Sequence, residues 1–391
     1  MWLATLASHL GNSIQAVGAS WLMTSIAPSP DMVALVQSAA TLPIGLFALL
    51  AGAIADLYDR RLVMLAAQSV MLIVCVCLAV LAWRSLAGPR LLLGLTFLLG
   101  TGFSVYGPSL QASIGELVPR ADLPGAVSLN VLGLNVARSV GPAIGGGIVA
   151  LGGPAAAFAF SAVAYLGTTT VLANWRRRPP PREKPPEGIA RAVLTGLTYA
   201  RGAPAIRTVL LRTIAFGLGG SAAWALMPLV ARDLIGAGAL AFGLLLGSLG
   251  FGAVIGALLN TRLRRHLSNE ALVRAAGIVY GAACIVTAFS PWLPLTMIVL
   301  VIGGAGWVQA LSTFNVVVQL WSPRWVVGRA LSMFQTAIFG SMALGSWLWG
   351  HFAESFGIAA AVATSGAAML ALPLLGLVLR MPADAVAQPE S

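Results

Sequence analysis

Long apolar segments recur along almost the whole chain, and each has about the 20 residues that an α-helix needs to cross a bilayer. There are twelve such segments. They span residues 2–26, 32–55, 62–83, 90–115, 125–150, 154–174, 207–231, 239–261, 271–290, 293–318, 328–350 and 357–380. Because hydrocarbon offers no partner for backbone N–H and C=O groups, segments of this length fold as helices. The sequence therefore predicts an all-α membrane protein with twelve transmembrane helices.

The composition supports a membrane protein and argues against two other classes. Only 9% of the 391 residues are charged, whereas a soluble domain has about a quarter. The net charge of +11 could indicate nucleic-acid binding, but the arginines lie in short turns between apolar segments. We therefore expect contacts with membrane lipids and none with nucleic acid. The sequence shows no metal-ligand cluster, no nucleophile with its base and no phosphate-binding loop, so we predict neither enzymatic activity nor a cofactor.

Basic residues set the expected orientation in the membrane. With both chain ends in the cytoplasm, 19 of the 23 lysines and arginines fall in cytoplasmic loops or at cytoplasmic helix ends. Arg84, Arg90 and Arg232 fall outside, and Arg138 falls in the membrane. An excess of positive charge is typical of cytoplasmic loops. The sequence thus predicts a multi-pass membrane protein with both termini in the cytoplasm.

The second half of the chain repeats the first in weakened form. Residues 52–61, Gly-Ala-Ile-Ala-Asp-Leu-Tyr-Asp-Arg-Arg, return 204 positions later as residues 256–265. The same offset carries Gly141 onto Gly345. Membrane proteins built from parallel repeats bind a small-molecule substrate between the repeats, near the middle of the bilayer.

The duplication divides the chain into four parts. We predict two six-helix bundles, at residues 1–174 and 205–380, related by a pseudo-two-fold axis. Residues 175–204 would form a cytoplasmic linker whose first part is rich in proline and arginine and whose later part could lie as a helix on the inner leaflet. Residues 381–391 would form a cytoplasmic tail. We expect the protein to be a monomer.

Two motifs carry a family resemblance. Residues 52–61 resemble the signature between helices 2 and 3 of the major facilitator superfamily. Residues 141–146, Gly-Pro-Ala-Ile-Gly-Gly, resemble the GPxxGG motif in helix 5 of its exporters. With Pro119 and Arg120 before helix 5, the chain is similar to the bacterial branch that contains the enterobactin exporter. The resemblance implies a secondary transporter that works by alternating access and is driven by protons.

The first motif predicts a cytoplasmic gate. Asp56 ends helix 2, beside which the superfamily fold would place helix 11. We expect the Asp56 carboxylate at the start of helix 11, because a helix N-terminus carries partial positive charge. We also expect Arg60 to reach Glu116 at the inner end of helix 4. The gating candidates are Gly52, Asp56, Arg60, Arg61, Glu116, Gly328 and Arg329.

The gate has an alternative and an expected asymmetry. Asp56 and Arg60 could instead form a surface ion pair, which contributes only ~0–1 kcal/mol. In the second half, Asn260 replaces Asp56 and Leu263 replaces Asp59. We therefore expect the corresponding latch between helices 8 and 5 to be electrostatically weaker.

The helix-5 motif predicts close helix packing. Glycine lets two backbones approach, and proline removes one helical hydrogen bond, so a pliable helix 5 is expected. The alternative is glycine packing without a role in gating. The motif residues are Gly141, Pro142, Gly145 and Gly146.

Arg138 is the one basic residue deep in a predicted span. It lies 13 residues into the segment 125–150, where an arginine costs at least ~2.5–3.5 kcal/mol unless it is satisfied. No Asp or Glu lies deep in any predicted span. Two explanations remain open: carbonyls and amides such as Asn135 or Gln111 satisfy the guanidinium, or it binds an anionic group of the substrate.

Helices 1, 4, 7 and 10 would line the central cleft of the superfamily fold. Their polar and aromatic residues predict an amphiphilic, ring-bearing cargo, although each one could instead bond or pack between helices. These cleft candidates are Asn12, Gln15, Tyr106, Gln111, Trp224, Gln309 and Asn315. His9 is the only histidine inside a predicted span and the only conventional proton carrier near the cleft. It could also be a hydrogen-bonded neutral histidine.

These observations predict an exporter of a small amphiphilic molecule, either a siderophore-like metabolite or a drug, in exchange for protons. One alternative is an importer on the same fold, which would have a more polar cleft. Another is a scramblase or sensor that kept the fold without transporting. The gating and helix-5 motifs favour a transporter that cycles between two states.

Overall fold

The computed structural model describes residues 1–119, 121–175, 198–199, 201–323 and 326–382, apart from the side chain of Asp56. Within these ranges the chain forms helices joined by short turns, and no β-strand. Most of the predicted linker and nearly all of the predicted tail lie outside the described residues.

The first half contains six helical segments. The first four are α1 (Trp2–Ile26), α2 (Pro30–Leu57), α3 (Arg60–Trp83) and α4 (Pro89–Leu117). A continuous helical stretch, Leu123–Asn174, follows them. It turns at Gly153, where φ is 72° and ψ is 176°, so we divide it into α5 (123–152) and α6 (154–174). Glycine adopts this positive φ without the steric cost of a Cβ.

The second half has the same order of segments. They are α7 (Pro204–Leu229), α8 (Ala239–Leu263), α9 (Asn269–Phe289), α10 (Leu293–Trp321), α11 (Val327–Phe356) and α12 (Ile358–Ala371). A π-helical turn, Val230–Leu234, extends α7, and a 3₁₀ turn, Leu372–Leu377, extends α12. The predicted helix 11 ended too early, at residue 350, because His351 and Glu354 are polar. Both lie exposed on the last turns of α11.

Hydropathy identifies most of these helices as membrane spans. Nine helices of the described part are long and apolar enough to cross a membrane, and one of them is the stretch that contains both α5 and α6. α1 and α11 have 25 and 30 residues but are not among the nine. In α1, polar residues such as His9 and Asn12 lower the hydropathy. An all-α membrane fold is confirmed, but hydropathy alone does not establish twelve spans.

Local signals explain where several helices begin. Proline occupies the first or second position of α2, α4, α5, α7 and α10, where its missing N–H costs no helical hydrogen bond. The Asp59 carboxylate caps α3 by accepting from the Arg61 backbone N at 2.8 Å. The Ser268 hydroxyl caps α9 by accepting from the Ala271 backbone N at 3.3 Å. Such caps satisfy N–H groups that have no partner inside the helix, and here they fix the two turns that carry the repeated motif.

The 204-residue repeat is present in the backbone. α10 begins and ends 204 positions after α4, and α11 begins 204 positions after α5. Gly153 has its counterpart 204 positions later in Gly357, whose φ is 88°. Ser161 and Ser365 are also 204 positions apart, and each donates to a carbonyl of the first helix of its half, at 2.8 and 2.5 Å. The two halves therefore share one backbone plan.

Equivalent helices pack together in each half. The stretch containing α5 and α6 packs against α1 and α3, and α4 packs against α2 and α3. In the second half, α7 packs against α11 and α12, α10 against α8 and α9, and α12 against α9. α6 ends at Asn174 and α7 begins at Pro204. That residues 1–174 and 205–380 move as separate bundles stays a prediction.

Two helix pairs form most of the packing between the halves: α2 with α11, and α5 with α8. Hydrogen bonds described between the halves run from Ser38 to the Ala343 carbonyl at 2.6 Å, from Thr336 to the Gly45 carbonyl at 2.8 Å, and from Arg232 to the Thr24 carbonyl. These four helices frame the space between the halves, which we call the central cleft.

Candidate functional site

The helix-5 motif presents one pair of glycines to its own half. A Cβ on Gly141 would lie 2.6 Å from the Ser13 Cβ, and a Cβ on Gly145 would lie 3.0 Å from the Ile14 Cα. Both contacts are with α1. Because positions four apart share a helix face, this pair forms one continuous strip along which the two backbones meet.

The other two motif residues face the second half. A Cβ on Gly146 would lie 2.6 Å from the Ala239 carbonyl oxygen and 2.9 Å from the Gly243 Cα, both in α8. Gly243 in turn packs against the Pro142 carbonyl. The structure therefore places the motif where three helices meet. α5 packs against α1 on one side and against α8 of the second half on the adjacent side.

Arg138 lies on the side of α5 that faces away from lipid. Apolar side chains four residues apart, among them Val136, Val140 and Ile144, are exposed and mark the lipid-facing side. Arg138 is two residues from both valines, so it points about 160–200° away from them. Its carbonyl lies against Gly250 of α8. The exposed Arg138 side chain is therefore directed into the central cleft.

The Arg138 guanidinium forms no hydrogen bond with Asn135 or Gln111, the partners that the sequence suggested. In the described part of the chain it forms no hydrogen bond and no ion pair. The Asn135 carbonyl accepts from Ser139 instead, at 2.9 Å, and Gln111 is exposed. Arg138 lies near enough to His9 of α1 for its charge to act on the imidazole. Two of the predicted site residues are thus brought together without a counter-ion among the described residues.

One face of α1 completes this polar side of the cleft. His9 is 9% exposed and meets Phe103 of α4 edge-on, with ring centroids 6.4 Å apart. Asn12 is half-buried and Ala16 is exposed. Residues 9, 12 and 16 have the spacing of a single helix face. The other faces of α1 pack on α5 and α6, so this face is the one left to the cleft.

Three of the cleft candidates lie in packed interiors instead. Gln15 is 4% exposed, on a different face of α1 from His9. Tyr106 is 2% exposed and lies near Thr5 and Gln68 inside the first half. Gln309 is 7% exposed and donates to the Gly256 carbonyl at 2.6 Å, which ties α10 to α8. Their surroundings are those of residues that bond and pack between helices.

Trp224 belongs to an aromatic cluster that the sequence analysis did not identify. The Trp307 ring of α10 lies 5.0 Å from the rings of Phe216 and Tyr280 and 5.9 Å from that of Trp224, measured between centroids. Trp224 is partly exposed. The sequence did hold a signal for this cluster. Trp224 and Trp307 lie inside predicted spans, whereas most tryptophans of membrane proteins lie at the interfaces. Asn315, another candidate, is half-buried and accepts from Gln319 at 2.5 Å.

The predicted contact between Arg60 and Glu116 is confirmed. The Arg60 Nη1 lies 2.8 Å from the Glu116 Oε1 and also donates to the Ala112 carbonyl at 2.8 Å. Arg61 donates to the carbonyls of Leu172 and Ala173, at 3.0 and 2.5 Å. Both arginines thus bind at helix C-termini, where partial negative charge is concentrated. They tie the start of α3 to the ends of α4 and α6.

The other half of the predicted gate lies outside the described residues. The Asp56 side chain is not described, so its docking at α11 stays a prediction. A Cβ added at Gly52 or Gly328 would meet nothing within 4 Å. Neither glycine is therefore required by close packing in this structure.

Comparisons with known proteins agree with this architecture. The family described as transmembrane secretion effector matches residues 1–391. The multidrug efflux pump Tap of Mycolicibacterium fortuitum is 28% identical, over 96% of this chain and 93% of its own. The enterobactin exporter EntS of Escherichia coli is 27% identical, over 84% of this chain and 78% of its own.

A solved structure supports the fold. The nucleoside transporter NupG has a TM-score of 0.77 and 12% identity, with 97% of this chain and 98% of that chain covered. Identity this low speaks to the fold alone. The family match and the repeated helices together show that the chain belongs to the transmembrane secretion effector family of the major facilitator superfamily.

Proposed function

We propose that this protein exports a small amphiphilic anion across a bacterial inner membrane by alternating access. The observation that carries the proposal is Arg138, an exposed cation midway along α5 that faces the cleft and has no partner in the described ranges. The named relatives support the direction, since one is a siderophore exporter and one a drug efflux pump. Both chain ends would lie in the cytoplasm.

An anionic cargo would give Arg138 the partner that it lacks in the described ranges. Charged residues inside membrane spans face the protein interior or a cavity and mark substrate or ion pathways. A carboxylate can accept two parallel hydrogen bonds from the guanidinium, and such charge-assisted bonds contribute about 1.5–3 kcal/mol. The cargo would therefore bind where its negative charge provides a counter-ion for Arg138.

Proton exchange is part of the proposal, with His9 as the carrier. An anion leaving the cell is also driven by the membrane potential, by about 2.3 kcal/mol per charge per 100 mV. We therefore expect export to respond to both gradients, and His9→Gln to abolish only the response to the pH gradient.

The experiment is a cargo screen in everted vesicles that compares wild type with Arg138→Ala. Aromatic carboxylates and their neutral amides serve as paired test compounds, under an imposed pH gradient or potential. We expect Arg138→Ala to reduce export of the carboxylates at least 10-fold while membrane insertion and thermal stability are retained. Arg90→Ala, at the exposed start of α4, is the matched control. Unchanged carboxylate export by Arg138→Ala contradicts the proposal.

A second candidate function is export of uncharged hydrophobic drugs. The aromatic cluster around Trp307 favours it, because aromatic rings bind apolar compounds without a charge requirement. The same vesicle assay separates the two candidates. Drug export predicts that the neutral amides are transported at least as well as the carboxylates and that Arg138→Ala leaves both rates unchanged.

A further inference from the structure

The two halves place opposite chemistry at equivalent helix positions. At the 204-residue offset, Asn12 of α1 corresponds to Phe216 of α7, and Ser20 corresponds to Trp224. Arg138 of α5 corresponds to Met342 of α11. Phe216 and Met342 are buried, whereas Trp224 is partly exposed. The halves are thus symmetric in backbone and asymmetric in polarity at these positions.

From this asymmetry we infer that the cargo binds in one orientation, with its anionic group on Arg138 of the first half and an aromatic ring against Trp224 of the second half, which Trp307 supports from below. The substrate class is therefore an aromatic acid. This inference rests on the proposed function and adds to it the identity and direction of the apolar part.

The polar side is built by α5 and α1. Arg138 points into the cleft and interacts electrostatically with His9. Asn12 lies one turn further along the same face of α1 as His9 and is half-buried. In the described residues this side holds a fixed positive charge and no carboxylate within ion-pair distance of Arg138. An anion is the ligand that such a side accepts.

The aromatic side is built by α7 and α10. A Cβ on Gly220 of α7 would lie 2.5 Å from the Trp307 ring and 3.0 Å from the Tyr280 ring, so these rings rest directly on the α7 backbone. Trp307 is itself 5% exposed, and the partly exposed Trp224 covers it at an interplanar angle of 56°. The Tyr280 hydroxyl donates to the Gly220 carbonyl at 2.8 Å, which holds the cluster in place. Ser20, the counterpart of Trp224, lies four residues beyond Ala16 on the face of α1 that borders the cleft. By the repeat, Trp224 presents a supported ring surface to the cleft.

The aromatic side begins at the depth of Arg138 and extends beyond it. Arg138 is 15 residues from the start of α5 at Leu123, and Trp307 is 14 residues from the end of α10 at Trp321. Both of these helix ends lie at the face that carries the chain termini, so both side chains begin roughly 21–23 Å from that face at about 1.5 Å per residue. Trp224 is 20 residues from the start of α7 at Pro204, or about 30 Å by the same count. The cargo would therefore lie obliquely across the cleft, with its ring further from that face than its anionic group.

The test uses three compounds of one shape and the purified protein in nanodiscs. The compounds are 2-naphthoate, its neutral amide, and the saturated acid decahydronaphthalene-2-carboxylate. Binding affinity is measured by calorimetry without any gradient. We expect wild type to bind 2-naphthoate about 10-fold more tightly than either of the other two compounds.

Two variants separate the two sides of the site. Arg138→Met, which installs the residue of the second half, should lower the affinity for naphthoate to that of the amide and leave the amide unchanged. Trp224→Leu should lower the affinity for naphthoate to that of the saturated acid and leave the saturated acid unchanged. Trp224→Phe should restore most of the naphthoate affinity. Thermal unfolding of the unliganded variants checks that they remain folded.

Three outcomes overturn the inference: no preference for naphthoate in wild type, equal loss of all three compounds in Arg138→Met, or equal loss of naphthoate and the saturated acid in Trp224→Leu. Vesicle export is measured separately. Selective binding without export refutes the proposed function alone. Export that depends on Arg138 but is the same for the aromatic and the saturated acid refutes only the inference about the second half.

Discussion

The ion pairs described in the two halves lie in different places, although the halves share a backbone plan. In the first half, Arg60 binds Glu116 at 2.8 Å, at the turn that carries the gating motif. In the second half, the corresponding Arg264 donates to the Asn269 Oδ1 at 3.4 Å, and the position equivalent to Glu116 is Leu320. Because Leu320 carries no charge, the second half has no counterpart of the contact between Arg60 and Glu116.

The second half places its main ion pair elsewhere. Arg212 of α7 is 1% exposed and lies 3.1 Å from Glu270 at the start of α9. Glu270 also accepts from Arg274 at 2.7 Å and from the Met381 backbone N at 2.8 Å. Arg212 donates further to the Leu379 carbonyl at 2.9 Å. This network fastens the segment after α12 to its own half and takes no part in contacts between the halves.

The glycine strips of α5 and α11 differ in a related way. Gly350, the counterpart of Gly146, also packs on the other half: a Cβ there would lie 2.6 Å from the Ala34 Cβ. Gly145, however, corresponds to Trp349, whose indole N–H donates to the Leu218 carbonyl at 2.8 Å. Duplication thus kept the close contacts between halves, which need small residues, and let polar and aromatic contacts within each half diverge.

The largest expected effect tests the two ion-pair networks. Removing one partner of a buried pair costs about 3–5 kcal/mol, because the other charge stays buried. Glu270 would keep Arg274 and the Met381 N–H, so we expect Arg212→Met to lower the free energy of unfolding by about 3 kcal/mol. Denaturant unfolding of the purified protein measures this.

Arg60→Met is the matched variant in the first half. Its ion pair is more exposed, at 25% for Arg60, so we expect a loss of only about 1 kcal/mol. Equal losses in the two variants would show that the halves do not differ in where their ion pairs stabilise the fold.

The next effect tests the contact between the halves. Gly146→Ala places a Cβ 2.6 Å from the Ala239 carbonyl oxygen and 2.9 Å from the Gly243 Cα, so α5 and α8 must separate. Overpacking of this kind costs about 1–3 kcal/mol. We expect slower export and a lower unfolding temperature.

Gly147→Ala is the control, because a Cβ at that position meets nothing within 4 Å. It should leave both export and stability unchanged. If the two alanine variants behave alike, close approach of α5 and α8 is not what Gly146 provides.

The smallest effect tests the asymmetry of the gate. Asp56→Asn gives the first half the residue of the second, and Asn260→Asp does the reverse. If Asp56 docks at the start of α11, each change should shift the balance of inward-facing and outward-facing states by up to about 1 kcal/mol, roughly five-fold, in opposite directions.

Thiol labelling of single cysteines on either side of the cleft measures this balance. The background should lack Cys77, the exposed native cysteine of the described part. If labelling does not change in Asp56→Asn, then Asp56 is not part of the gate. Arg60 and Glu116 would then form only a local contact between α3 and α4.

The sequence predicted the helices and the tie at Arg60 from short-range information. Apolar length sets a span, and proline or a capping side chain sets its start, so the predicted and observed boundaries of α4 and α6 differ by two residues or fewer. Arg60 and Glu116 could be paired because the repeated motif lies in a short turn next to the end of helix 4. Their contact needs little knowledge of how distant helices rotate.

The cleft was predicted less well for the opposite reason. Asn12 and Gln15 are three residues apart in α1, yet Asn12 is on the cleft face and Gln15 is buried in its own half. The difference depends on the rotation of α1 about its axis, which its contacts with α5 and α6 set. The aromatic cluster was missed because its members come from α7, α9 and α10.

By itself, the sequence determined that this chain is a duplicated, all-helical membrane protein, because the length and polarity of each segment are local properties. It also identified Arg138 as a charge near the middle of a predicted span, with no Asp or Glu at a similar depth. Only the tertiary structure decided that Arg138 faces the cleft and that the halves present opposite chemistry there. The reason is that the direction of a side chain on a helix follows from close contacts, such as Gly141 with Ser13, between residues far apart in the chain.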